Sequence, residues 1–210
     1  MIPRFPVYLF DVDGTLVDSA PDICAAVQSV LHSRGRSDVS DAFLRTYIGK
    51  HLDETWRDLG FPESEWAPLL DDYRRNYAGR GHTLTKPYDG SLEGLSGLAG
   101  TRKSTATTKG TPTTRIVLEM FGMLSHFDHV QGTDGFPAKP EPDVILKSLA
   151  VFGVDARDVL MVGDAESDMA AGRAAGVKIC AVRFGYGTVA NLAKWKPDYW
   201  IDDLRELSGA

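Results

Sequence analysis

The chain predicts an α/β protein, a doubly wound parallel sheet interrupted early by a helical insertion. Three observations carry this. The apolar run Val7-Tyr8-Leu9-Phe10 stops abruptly at Asp11-Val12-Asp13-Gly14-Thr15, as a buried strand does when its carboxyl end meets a loop. From Pro87 onward, strand-like and helix-like segments alternate, the rhythm of a parallel sheet with helical crossovers. Between Asp18 and about Leu84 there is no period-two alternation, and apolar residues recur at helical spacing instead.

Each element has its own signal. After the first strand, Ile23, Val27, Val30 and Leu31 lie on one helical face, and Phe43, Leu44, Tyr47 and Ile48 mark a second helix. Gly35 and Gly49 punctuate these two. Leu52, Trp56 and Leu59 mark a third helix, closed by Gly60, and Trp66, Leu69, Leu70, Tyr73 and Tyr77 a fourth. Beyond Pro87 come a helix through Leu92, Leu95 and Leu98, a polar strand over 103–107, a helix over 116–121 and a short strand over 129–131. A helix over 144–152, a buried strand over 159–162, a helix over 168–175 and strands over 177–182 and 199–201 complete the series. A length of 210 residues accommodates a core with a smaller insert. The expected division is a core of residues 1–17 and 87–210 and a helical module of 18–86, with hinges at 17–19 and 85–87.

Composition narrows the class. A net charge of −6 argues against broad nucleic-acid binding through a basic surface. Apolar runs are strand-sized, and the first six residues carry no signal-peptide core, so no membrane association is expected. Cys24 and Cys180 form no C-x-x-C pair and read as free thiols, which points to the cytoplasm. The five histidines show no metal-ligand spacing.

Candidate chemistry sits at strand ends. Residues two apart in an extended chain point to the same side, so Asp11 and Asp13 face one pocket beyond the strand, where open α/β sheets bind ligands. Two carboxylates this close repel each other and need a metal ion or a shared proton. Three further sites follow: the hydroxyl cluster Thr105-Ala106-Thr107-Thr108 with Lys109-Gly110, Lys139 in Lys-Pro-Glu-Pro, and Gly163-Asp164-Ala165-Glu166-Ser167-Asp168. Taken singly, each suits a turn, a surface loop or a helix N-terminus with favourable charge.

Together, in this order and spacing, the four sites resemble the four motifs of the haloacid dehalogenase superfamily. Asp11-Val12-Asp13-Gly14-Thr15 is similar to the first motif, Thr107 stands at the Ser/Thr of the second, Lys139 at the lysine of the third, and Gly163-Asp164 through Asp168 matches the fourth. The helical module resembles the cap of the phosphoglycolate phosphatase-like branch, as do Tyr47-Ile48-Gly49-Lys50 and Phe184-Gly185-Tyr186-Gly187. The second motif departs from the usual pattern. Its strand is polar, and Thr108 replaces the common Asn, so Thr105 and Thr108 stay open beside Thr107. A polar strand implies either a slipped alignment or a less buried position.

The resemblance implies a Mg²⁺-dependent phosphatase with an aspartyl-phosphate intermediate. Asp11 is then the nucleophile, and Asp13 the acid for the leaving alkoxide and the base for water. Thr107 and Lys139 hold the transferring oxygens, with the backbone at Gly14 and the loop residues Thr108 and Lys109 completing the substrate cradle. Mg²⁺ falls to Asp11, the backbone carbonyl of Asp13, and Asp164, with Asp168 reached through a bound water. Lys50 or Arg45 pairs with a substrate carboxylate. The expected partner is a small phosphorylated metabolite, 2-phosphoglycolate first, with sugar phosphates and nucleotides as alternatives, and the chain is a monomer or homodimer. A phosphomutase and a non-catalytic binding protein of the same fold are the other readings.

Overall fold

The computed structural model describes residues 2–209; Met1 and Ala210, the outermost residues of the expected core, lie outside this range. Strand β1 (Val7–Phe10) leads into the short β2 (Val17–Asp18). Helices α1 (Ala20–Ser33), α2 (Asp41–Arg45), α3 (Leu52–Asp58) and α4 (Glu63–Gly79) follow. The chain returns through β3 (Lys86–Pro87), which pairs antiparallel with β2, so both crossings between the helical segment and the sheet run through one two-stranded ribbon. Then come α5 (Ser91–Gly97), β4 (Arg102–Thr105), α6 (Thr111–Met120), α7 (Asp143–Phe152), β5 (Val159–Gly163), α8 (Glu166–Ala175), β6 (Lys178–Val182), α9 (Val189–Ala193) and β7 (Tyr199–Ile201).

The main sheet is parallel throughout, in the order β4-β1-β5-β6-β7. Strand periodicity divides its side chains between two layers. Tyr8, Phe10, Leu160, Val162, Cys180 and Val182 pack on one face with Leu95, Val117, Leu118 and Leu204. Val7, Leu9, Met161, Ile179 and Ala181 pack on the other with Val144, Ile145, Met169 and Leu192. Burial on both faces explains why these strands read as continuous apolar runs. A third cluster, centred on the fully buried Trp56 with Val27, Leu31, Leu44 and Leu69, holds α1–α4 together. Among the described residues no helix is long and apolar enough to cross a membrane.

Several expectations need correction. The 129–131 segment is not a strand; it makes a single parallel bridge, His129 to Ser104. The second helix ends at Arg45, and residues 46–49 form turns. The polar strand is not less buried: Lys103, Ser104 and Thr105 are all inside. It lies at the sheet edge, and each polar group has a partner. Lys103 Nζ donates to Leu98 O and Thr101 O, Ser104 Oγ lies 3.2 Å from Ser148 Oγ, and Thr105 Oγ1 donates to Gln131 O. These bonds remove the desolvation penalty that polar strands otherwise carry.

Candidate active site

The strand order creates the site. From β1 the chain runs to β4 on one side, and β5 lies on the other, so a crevice opens at the carboxyl ends of these three strands. Asp11 directly follows β1, Thr107 lies two residues past β4, and Asp164 directly follows β5. Lys139 precedes α7, joined to Pro140 by a cis peptide, and Asp168 lies in the first turn of α8.

Asp11, Lys139, Asp164 and Asp168 form a buried polar cluster, none more than 2% exposed. Lys139 Nζ lies 2.9 Å from Asp11 Oδ1 and donates to Asp168 Oδ1. The other Asp168 oxygen accepts from Ala165 N at 2.9 Å. Asp164 accepts from Thr15 Oγ1 (3.1 Å) and from Tyr186 N (2.8 Å). Gly14 allows this approach: its φ is +90°, and a Cβ there would fall on the Asp164 carboxylate. Burial would lower the pKa of Lys139, but Asp11 and Asp168 outweigh it and raise the value, so the ammonium stays charged.

Asp13 is held separately. Its Oδ1 accepts from Ser19 Oγ, and its Oδ2 lies 3.2 Å from Lys109 Nζ. Lys109 also donates to Tyr77 Oη of α4 at 2.8 Å. Ser19 therefore does not cap α1 with its side chain. The Tyr186 hydroxyl does so instead, accepting from Ser19 N (2.9 Å) and Ala20 N (3.0 Å) while donating to Asp18 Oδ1 (2.9 Å).

The three candidate hydroxyls differ in what already engages them. Thr105 exchanges two hydrogen bonds with Gln131, donating to O (2.9 Å) and accepting from N (2.8 Å), and is thereby committed to the fold. Thr107 is fully buried and accepts from Lys109 N (3.3 Å). Thr108 lines a cleft of about 520 Å³ between the sheet and the helical segment, together with Asp13, Lys109, Tyr73, Tyr77, Lys50 and Arg74. Lys50 reaches this cleft from the turn after α2, its Nζ 5.0 Å from the centre of the Tyr47 ring. Arg45 is exposed and not among the lining residues, so the structure does not bring it to the cleft.

The acidic groups fit a divalent cation. Asp11, Asp164 and Asp168 each offer an oxygen, all within 4.8 Å of one another. Asp11 Oδ1 is buried and has no well-directed hydrogen bond despite the nearby ammonium. Burial lifts the Asp11 pKa to about 7; Lys139 opposes the rise, and Asp168 and Asp13 add to it. Burial and the same neighbours, Asp168 and Asp11, also lift Asp164 well above the ordinary range. A bound cation reverses that penalty, and an all-oxygen donor set with few carboxylates suits Mg²⁺.

Sequence reasoning missed Thr15, Ser19, Tyr77 and the Tyr186 hydroxyl as supports of the site. Thr15 had a signal, its place in the first motif. So did Tyr186, within Phe184-Gly185-Tyr186-Gly187; Ser19, six residues after Asp13, and Tyr77 act through single hydroxyls that leave no periodic trace.

Comparison with known proteins agrees with this geometry. Residues 8–182 match the family model of haloacid dehalogenase-like hydrolases. The chain is 33% identical to Phosphoglycolate phosphatase 1 of Pseudomonas aeruginosa, over 98% of this chain and 79% of that one. It is 34% identical to the tyrosine-protein kinase PtkA of Mycobacterium bovis, over 96% of this chain and 72% of that one. The crystal structure of a predicted phosphatase from Clostridium acetobutylicum superposes with a TM-score of 0.91 at 27% identity, covering 99% of this chain and 98% of that one. With the motifs, the sheet order and the family match in agreement, the chain belongs to the haloacid dehalogenase-like hydrolases.

Proposed function

We propose that this enzyme is a phosphatase that hydrolyses a small phosphate monoester through a covalent phosphoryl-Asp11 intermediate. The observation that carries the proposal is the buried array of Asp11, Asp164 and Asp168 around Lys139, with Asp13 beside it at the carboxyl edge of the sheet. Phosphate monoesters are anions and among the slowest to hydrolyse unaided, so the site must offset charge as well as supply a nucleophile.

In the first step an Asp11 carboxylate oxygen attacks phosphorus. The P–O bond to the alcohol breaks, and Asp13 gives its proton to the departing oxygen. In the second step Asp13 takes a proton from water, the water oxygen attacks the phosphoryl group, and the P–O bond to Asp11 breaks to release phosphate. Lys139 neutralises charge on the transferring oxygens and orients Asp11, and the Thr107 hydroxyl donates to one of those oxygens. Asp168 holds Lys139. Asp11, Asp164 and the Asp13 carbonyl would hold Mg²⁺ directly and Asp168 through water; when bound, the ion supplies positive charge that lets two anions approach.

Residues 18–86 act as a cap that selects the substrate and excludes water. The acidic chain without a basic stripe and the two unpaired buried thiols support a small cytoplasmic metabolite as substrate. The curated phosphoglycolate phosphatases at about a third identity make 2-phosphoglycolate the first candidate, and we assign its carboxylate to Lys50, which lines the cleft. The test compares kcat/KM for 2-phosphoglycolate, sugar phosphates and nucleoside monophosphates. A lead of at least about tenfold for 2-phosphoglycolate, roughly 1.4 kcal/mol in transition-state binding, supports the substrate, and a smaller one removes it. The kinase relative favours a second reading, in which a tyrosine hydroxyl rather than water accepts the phosphoryl group. Phosphotyrosine formed from a nucleoside triphosphate, without phosphate release from monoesters, would establish it.

A further inference from the structure

The Lys109 side chain crosses from the loop after β4 to α4, and the reaction described above leaves the far end of that bridge unused. Its Nζ lies 3.2 Å from Asp13 Oδ2, donates to Tyr77 Oη at 2.8 Å, and sits 4.4 Å from the centre of the Tyr77 ring. Tyr77 is only 4% exposed and is fixed from two sides. Its ring stacks on Tyr73 with centroids 5.6 Å apart, and His82 meets it edge-on at 4.9 Å. Clamped in this way, the ring gives its hydroxyl oxygen one position. The lysine stem is flexible, and a fixed acceptor combined with an aromatic face selects one of its conformations. The remaining Asp13 oxygen is engaged by Ser19. Both contacts that orient Asp13 therefore trace to residues 18–86, Ser19 directly and Tyr77 through Lys109.

We propose that Tyr77 is a positioning residue which, acting through Lys109, holds the Asp13 carboxyl group in the orientation that delivers a proton to the departing alkoxide. Seating of α4 over the sheet and readiness of the acid are then linked through one side chain. The inference rests on the acid role given to Asp13 above.

Tyr77→Phe keeps the ring and removes only the acceptor. A poor leaving group needs the proton and p-nitrophenolate hardly does, so a misplaced acid shows as a dependence on the leaving group. The measurement is the pre-steady-state phosphorylation rate with an alkyl phosphate and with p-nitrophenyl phosphate, run beside Asp13→Asn. Tyr77→Phe should slow the alkyl substrate about tenfold and p-nitrophenyl phosphate less than about threefold. In a Lys109→Met background, which keeps the stem but not the charge, adding Tyr77→Phe should cost less than about twofold further, because the two residues act as one unit. Equal slowing of both substrates, no slowing, or the same cost with and without Lys109 overturns the proposal. If Asp13→Asn still discriminates between the substrates in that case, the acid assignment survives. If Asp13→Asn slows both equally, the assignment and the proposal fall together.

Discussion

Asp11 and Asp13 stand two residues apart on one strand end and meet opposite surroundings. Asp11 faces two further carboxylates and one ammonium in a fully buried cluster, while Asp13 faces a hydroxyl and Lys109 at the wall of the cleft. In the proposed mechanism that difference separates a nucleophile from an acid on chemically identical side chains. The same logic separates Asp164 from Asp168. Asp164 is steadied by Thr15 and a backbone N–H and lies against Gly14, whereas Asp168 is committed to Lys139 and to Ala165 N. Asp164→Ala should raise the Mg²⁺ concentration for half-activation by more than about 100-fold. Asp168→Ala should raise it about tenfold, since its effect passes through water and Lys139. A Mg²⁺ titration of activity after EDTA treatment reads both; the reverse order would interchange the two roles. Asp11, Asp13, Lys139 and the Asp164 motif were legible because ordered motifs carry them. The choice among Thr105, Thr107 and Thr108 was not, since only the Gln131 contacts show which hydroxyl is already in use.

At the scale of elements, buried strands were the easiest to read. β1, β5 and β6 are covered on both faces and therefore nearly continuous in apolar residues. β4 was legible in place but not in burial, because its buried polar side chains are satisfied by groups up to 44 residues away. The two-residue ribbon of β2 and β3 and the five-residue α9 are too short to impose a period on the sequence. The start of α1 shows how such local gaps are closed. Its natural capping residue, Ser19, serves Asp13, and the cap comes from Tyr186, 167 residues distant. Tyr186→Phe should therefore destabilise the protein by about 1–2 kcal/mol, the range for losing a helix cap with its hydrogen bonds. A thermal melt should show the midpoint lowered by roughly 2–8 °C at this chain length. An unchanged midpoint would mean that water replaces the hydroxyl without cost.

For the whole molecule, the α/β architecture with its helical segment followed from strand and helix periodicity, while the way both chain crossings meet in one ribbon required the structure. The buried acid cluster also couples the site to global stability. Asp11 has a folded-state pKa of about 7, above the ordinary carboxylate value it has when unfolded. A raised pKa means that the folded state holds the proton more tightly, so its stabilising contribution is complete at low pH and is lost as pH rises through 7. Asp164 is raised as well and acts in the same direction. In EDTA, the melting temperature should fall by a few degrees or more between about pH 5 and 8. Saturating Mg²⁺ should remove most of that fall, because the cation takes the place of the proton. Equal pH profiles with and without Mg²⁺ would show that the cluster is not a cation site.

If Asp11 carries the phosphoryl group during turnover, the adduct can be trapped. The enzyme, mixed with Mg²⁺ and excess substrate and quenched in acid within a turnover, is digested and its peptides are examined by mass spectrometry. One phosphoryl group should appear on the peptide containing Asp11, removed by hydroxylamine as an acyl phosphate is, with no adduct in Asp11→Asn, whose turnover should fall about a thousandfold or more. A phosphoryl group on another residue, or full turnover by Asp11→Asn, would contradict this role of Asp11.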